Sequence, residues 1–138
     1  KDGETLQPED VLPYDRDQDV IHLEDEDYGI WYIDAQDNPD EYVGKTIVFK
    51  AMVMKNKEFP KDIFVPGRNA MTCCADDIRF LGFVCKYKDT ESLKRRQWVM
   101  VTATFEWEYS DLYGEKGPVL HATEVAQTSA PKEDLVYF

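Results

Sequence analysis

Two cysteines stand side by side at Cys73 and Cys74, followed at once by Ala75-Asp76-Asp77, and no other stretch of the chain offers as much chemistry. Neighbouring thiols can hold a soft metal or exchange electrons, above all where Asp76, Asp77 or His121 completes the set. A metal site here would use Cys73, Cys74, Asp77 and His121, with zinc or copper(I) as the ion. Adjacent strand residues point to opposite faces, so one thiol is expected inside and the other exposed or tucked under the turn. Three readings stay open: buried free thiols packing as small apolar groups, a metal or thiol site, and a vicinal disulfide. Tetrahedral zinc wants four ligands, and the sequence holds no second CxxC and no HxxxH. A tight turn centred on Asp76-Asp77 would set Cys74 opposite Arg79 and Cys85 opposite Arg68. Cys85 would then lie roughly 20–30 Å from Cys74, where a disulfide needs Cα atoms within about 7 Å.

The remaining candidates read more plainly. His22 and His121 are single histidines in strand-like surroundings, expected to be structural. Asp15-Arg16-Asp17-Gln18-Asp19 opens like a calcium loop, with Glu26 at its twelfth position. Val20 stands where that loop needs glycine, so a solvated acidic arm is the better reading. The chain has no glycine-rich phosphate loop, no GxSxG and no HExxH. The expectation is therefore a protein that is not an enzyme, has no catalytic residues and needs no cofactor.

The chain that must position these groups has 138 residues, 43% of them apolar and 13% aromatic, enough for one packed core. The net charge is −12, and it is concentrated in residues 1–42. Clustered bases are what draw a protein to phosphates, so nucleic acid is not an expected partner. The single basic run, Lys94-Arg95-Arg96, reads as a solvated surface. No apolar stretch approaches the ~20 residues that span a bilayer, so this fragment is not expected to insert directly. Starting on Lys1, it reads as a piece whose targeting segment lies elsewhere.

Three segments are expected: an acidic arm over 1–19, a domain over 20–127 and a tail over 128–138. Val20 to Leu23 suits a short strand. Tyr28, Ile30, Trp31 and Ile33 could line a helix face, and Asn38-Pro39-Asp40-Glu41 reads as a capped helix start that Gly44 stops. From Thr46 the hydrophobic period becomes two. The expected strands are Thr46 to Met54; Ile63 to Cys74, bent at Pro66-Gly67; Ile78 to Tyr87; Trp98 to Tyr109; and Val119 to Ala126. Asp89-Thr90 can cap a short helix reaching Arg96, and residues 113–117 read as a loop. Three strands, a short helix and two strands is the order of an OB-type barrel. The fold class is thus mainly β, a five-stranded OB-like barrel with a short N-terminal helical segment. Ile47, Phe49, Val53, Phe80, Val101, Ala103 and Phe105 are expected to face inward.

Asn38-Pro39-Asp40-Glu41-Tyr42-Val43-Gly44-Lys45, then Arg68, Met71-Thr72-Cys73-Cys74-Ala75-Asp76-Asp77, Gly82 and Trp98-Val99 follow one another as in one bacterial family. Over residues 20–127 the chain resembles the C-terminal soluble domain of uncharacterised membrane proteins assigned to a two-component permease complex. Thr-Cys-Cys-Ala beside a downstream Asp is the most specific part. The resemblance implies an extracytoplasmic domain following transmembrane helices, a multi-spanning permease-like partner and no enzymatic activity. A stand-alone secreted or lipid-anchored version would also fit. The sequence departs from the pattern at Ala51, where glycine is usual, at Ile78, where a small residue is usual, and in its more acidic arm.

Overall fold

The computed structural model describes residues 12–71 and 77–137. The alternation begun at Thr46 produces strand β2 (Thr46–Met54), whose odd-numbered residues Ile47, Phe49, Ala51 and Val53 are all buried. Strand β3 (Ile63–Met71) folds back antiparallel to it, pairing Met52 with Gly67 and Met54 with Val65. Strands β4 (Arg79–Gly82) and β5 (Val84–Lys86) both run antiparallel to β3 and are separated by Phe83. Strand β6 (Trp98–Ser110) pairs along β2, and β7 (Glu115–Gln127) pairs along β6. A parallel pairing of β5 with β7 then closes the ring β2–β6–β7–β5–β3–β2. This is a closed barrel of five strand positions with the OB order, as the sequence pattern requires. Closure removes the sheet edge that strands this apolar would otherwise present.

Three additions clothe the barrel. Strand β1 (Val20–His22) runs parallel beside the first residues of β2, and β8 (Leu135–Tyr137) runs parallel beside the last residues of β3. Between β1 and β2 lie a 3-10 turn (Asp25–Asp27), helix α1 (Tyr28–Asp37) and a second 3-10 turn (Pro39–Glu41). Helix α1 buries Tyr28, Trp31 and Ala35, and Trp31 packs against Phe49 and Phe83 at ring distances of 5.5 and 5.3 Å.

Several local expectations change. Ile30 and Ile33 are exposed, because the face that meets the barrel carries positions 28, 31 and 35 at helical spacing. Asn38 caps no amide; its side chain donates to Asp34 Oδ1 at 2.8 Å. Phe80 does not face inward: Leu81 does, and the Phe80 ring lies over Gly67 instead. Arg79 pairs with Ala70 and Cys85 with Phe64, so the β3–β4 hairpin axis lies two residues earlier than a turn at Asp76-Asp77 would set it. The helical piece between β5 and β6 is one 3-10 turn (Thr90–Ser92). Lys55 Nζ takes the carbonyl oxygens of Thr90 and Leu93, both at 2.8 Å, that a longer helix would use. Residues 115–118 are strand rather than loop, paired with Trp107 to Ser110. The arm is not wholly solvated either: Thr46 N donates to Asp19 O, and Lys45 Nζ donates to Arg16 O.

Candidate functional site

Of the residues expected to ligate a metal, Cys73 and Cys74 lie outside the described residues, as does Asp76. Asp77 lies two residues before β4, and His121 sits on β7 opposite Lys86 and Thr104. His121 Nε2 is 3.0 Å from Glu108 Oε1, and Glu108 Oε2 is 3.0 Å from Lys86 Nζ. Burial works against the Glu108 carboxylate, but the Lys86 and His121 bonds outweigh it and hold its pKa below the usual glutamate range. His121 thus belongs to a surface charge triad on the outside of the barrel. Among the described residues no three His, Cys, Asp or Glu side chains converge as a metal cage. Cys85 is a buried free thiol, pushed up in pKa by burial, and is a core residue. His22 is exposed on β1.

The densest polar cluster is one that pattern reading missed. Asp34, 4% exposed, accepts from Arg16 Nη1 at 2.8 Å, Tyr42 OH at 2.7 Å and Asn38 Nδ2 at 2.8 Å. Tyr42 OH in turn lies 2.7 Å from Tyr14 OH. Desolvation opposes the Asp34 charge, yet the three donors outweigh it and depress the pKa. Burial raises Tyr14 to about 12. Every oxygen of the carboxylate is spent on the protein itself, so the cluster fastens the arm and α1 to the barrel. Arg68 does the same at another end. It is 1% exposed, with Nη1 on Asp25 Oδ1 at 2.9 Å, Nη2 on Glu133 O at 3.1 Å and its Cζ 5.2 Å from the Trp98 ring centre.

What these ties leave open is an aromatic groove between α1 and the β6–β7 hairpin. A cavity of about 260 Å³ is lined by Tyr32, Phe83, Trp107 and Tyr113, with Gln36 and Glu115 at its polar rim. Tyr32 stacks on Phe83 at 4.5 Å. Tyr113 is pinned, its hydroxyl donating to Pro118 O at 2.7 Å and accepting from Val84 N at 2.9 Å. Trp107 shares the face of β6 that carries Val101, Ala103 and Phe105, yet it is 41% exposed. It lies beyond the β2 ladder, which pairs no further than Thr104, so no β2 residue covers it.

The profile of the DUF1980 C-terminal domain family matches residues 1–138. The chain belongs to that family. UPF0703 protein YcgQ of Bacillus subtilis (strain 168) is 23% identical over 117 residues, covering 85% of this chain and 41% of YcgQ. The chain therefore spans less than half the length of that curated relative. Among solved structures, a Leishmania major Friedlin protein assigned as an aspartyl-tRNA synthetase matches 73% of this chain and 21% of its own. That match has 12% identity and a TM-score of 0.41, a likeness too distant to bear on what the DUF1980 domain does. Among the described residues of the domain, no helix is long and apolar enough to cross a membrane.

Proposed function

We propose that this DUF1980 domain is a non-enzymatic binding and assembly module, held outside the cytoplasm by a membrane-tethered protein, that docks onto a permease-like membrane partner. The aromatic groove carries this reading. Rigid, pinned rings beside an exposed Trp are the usual anchors of protein recognition, because they bury large area at low entropic cost. The polar clusters, by contrast, are consumed in holding the domain together. The sequence resemblance to permease-complex subunits supplies the class of partner, and the 41% coverage of YcgQ leaves ample chain for a membrane-borne part.

Co-expression of the full-length protein with the permease-like partner, followed by affinity recovery, tests the reading. Trp107→Ala should lower recovery of the partner at least about tenfold, as loss of a central aromatic anchor does, while leaving the melting temperature of the domain nearly unchanged. Undiminished recovery with Trp107→Ala would remove the groove from the assembly. If the purified domain instead carries about one equivalent of zinc or copper(I) that a Cys73→Ala/Cys74→Ala variant lacks, metal handling by Cys73, Cys74, Asp77 and His121 takes its place.

A further inference from the structure

One end of the barrel reverses the charge of the molecule. Segments 55–62 and 87–97 carry seven bases against four acids in a chain of net charge −12. Sequence separates them, and the fold welds them together. Lys55 Nζ binds the carbonyls of Thr90 and Leu93, Thr90 Oγ1 donates to Lys61 O, and Tyr87 N donates to Asp62 O at 2.8 Å. Asn56 Oδ1 takes the amides of Glu58 and Phe59, which stiffens the first loop. An open basin of about 590 Å³ lies between Lys57, Glu58 and Arg95. Lys61, Lys94 and Arg96 are exposed around it.

The same loop continues to an apolar rim. Pro60 and Ile63 share a cavity of about 260 Å³ with Tyr109 and Leu112 at the tip of the β6–β7 hairpin, and Lys86, Asp62 and Asp111 also line it. Tyr109 is 57% exposed and Leu112 41%. Cations set beside an exposed Tyr and Leu match a surface that presents phosphates over a hydrocarbon layer. They match single-stranded nucleic acid poorly, since that needs several aromatic faces in register with the bases. The acidic arm meets the first residue of β2 through Thr46 and Asp19. Asp19 is thus about 30 Å along the strand from Lys55, more than three times the roughly 8 Å Debye length at physiological salt, and its charge is screened from anything docked at the basic end.

We propose that loops 55–62 and 87–97, with the tip of the β6–β7 hairpin, form a docking face for an anionic phospholipid surface. The proposal rests on the membrane-tethered reading above and adds that the domain lies against its bilayer in one orientation. It predicts that the 138-residue chain co-sediments with vesicles of phosphatidylcholine and phosphatidylglycerol in equal parts, that pure phosphatidylcholine retains little of it, and that added salt releases it. Lys57→Ala with Arg95→Ala, which touches no internal hydrogen bond described above, should weaken partitioning about 25-fold, roughly fivefold per cation. Trp107→Ala should leave vesicle binding intact, and the Lys57/Arg95 pair should leave partner recovery in detergent intact. Failure of this proposal is thus separable from failure of the assembly reading. Equal binding to neutral vesicles, no binding to either kind, or binding to single-stranded DNA in preference to vesicles would each overturn it.

Discussion

At the scale of single residues, Asp34 shows how a carboxylate on α1 becomes structural. Its carboxylate receives Arg16, Tyr42 and Asn38, residues drawn from the arm, the turn after α1 and the end of α1 itself. Asp34→Ala strands a guanidinium and a phenol, and should cost about 3 kcal/mol in chemical denaturation. The pKa direction adds a second readout. A carboxylate depressed in the fold contributes stability that is fully present above the ordinary Asp value of about 3.9 and is lost as pH falls through the lower folded value. The wild-type melting temperature should therefore drop below pH 4, and Asp34→Ala should flatten that slope. Nothing in the spacing of Arg16, Asp34 and Tyr42 announces the cluster, because the three meet only when the arm folds back on α1.

At the scale of elements, β3 and β4 pass each other in close contact at Gly67 and Gly82. A Cβ on Gly67 would sit 2.3 Å from Leu81 O and 2.7 Å from the Phe80 ring. Gly82 faces the same approach, 2.6 Å from a Val65 methyl and 2.7 Å from Pro66 O. Backbone oxygen cannot swing aside as a long side chain can. Gly67→Ala should therefore destabilise by about 3 kcal/mol by thermal or denaturant melts, at the upper end of overpacking costs. A cost near zero would mean that the two strands separate more easily than this packing allows. The expected break at Pro66-Gly67 is instead the point where β3 passes from one partner to the next: β5 at Ile63, β2 from Val65 to Gly67, β4 from Gly67 onward, and β8 from Asn69.

At the scale of the whole molecule, buried phenols tie the layers together. Tyr28 joins α1 to the barrel through Leu81 O, Tyr42 and Tyr14 join the arm, and Tyr113 joins the hairpin to β5. Burial raises all four, Tyr14 and Tyr113 to about 12 and Tyr28 and Tyr42 well above the ordinary range. Unfolded tyrosines ionise near pH 10. The stability these groups hold is complete below that value and is lost as pH rises beyond it. The melting temperature should stay level to about pH 9.5 and fall steeply between roughly 10 and 12. At least four of the eight tyrosines should ionise only as the protein unfolds, so a large part of the rise in tyrosinate absorbance should coincide with the melting transition. Ionisation of all eight in the still-folded protein would contradict this.

The barrel was open to reading from the chain because period two is a local property. Residues 47, 49, 51 and 53 on β2 and 99, 101, 103 and 105 on β6 alternate without interruption, and each is buried in the fold. Strand order followed from counting those runs about one break. What local pattern could not supply is register and company. Register between β3 and β4 depends on how many residues the connection takes up, so Cys85 faces Phe64 and Phe80 points outward. Company depends on closure: Lys55 meets Thr90, Asp34 meets Arg16, and the Lys94-Arg95-Arg96 run gains Lys57 only when two loops far apart in sequence are brought to one barrel end. Period two is carried by neighbouring residues along one strand, whereas a groove or a charged face is made by residues that share nothing but the space where the strands converge.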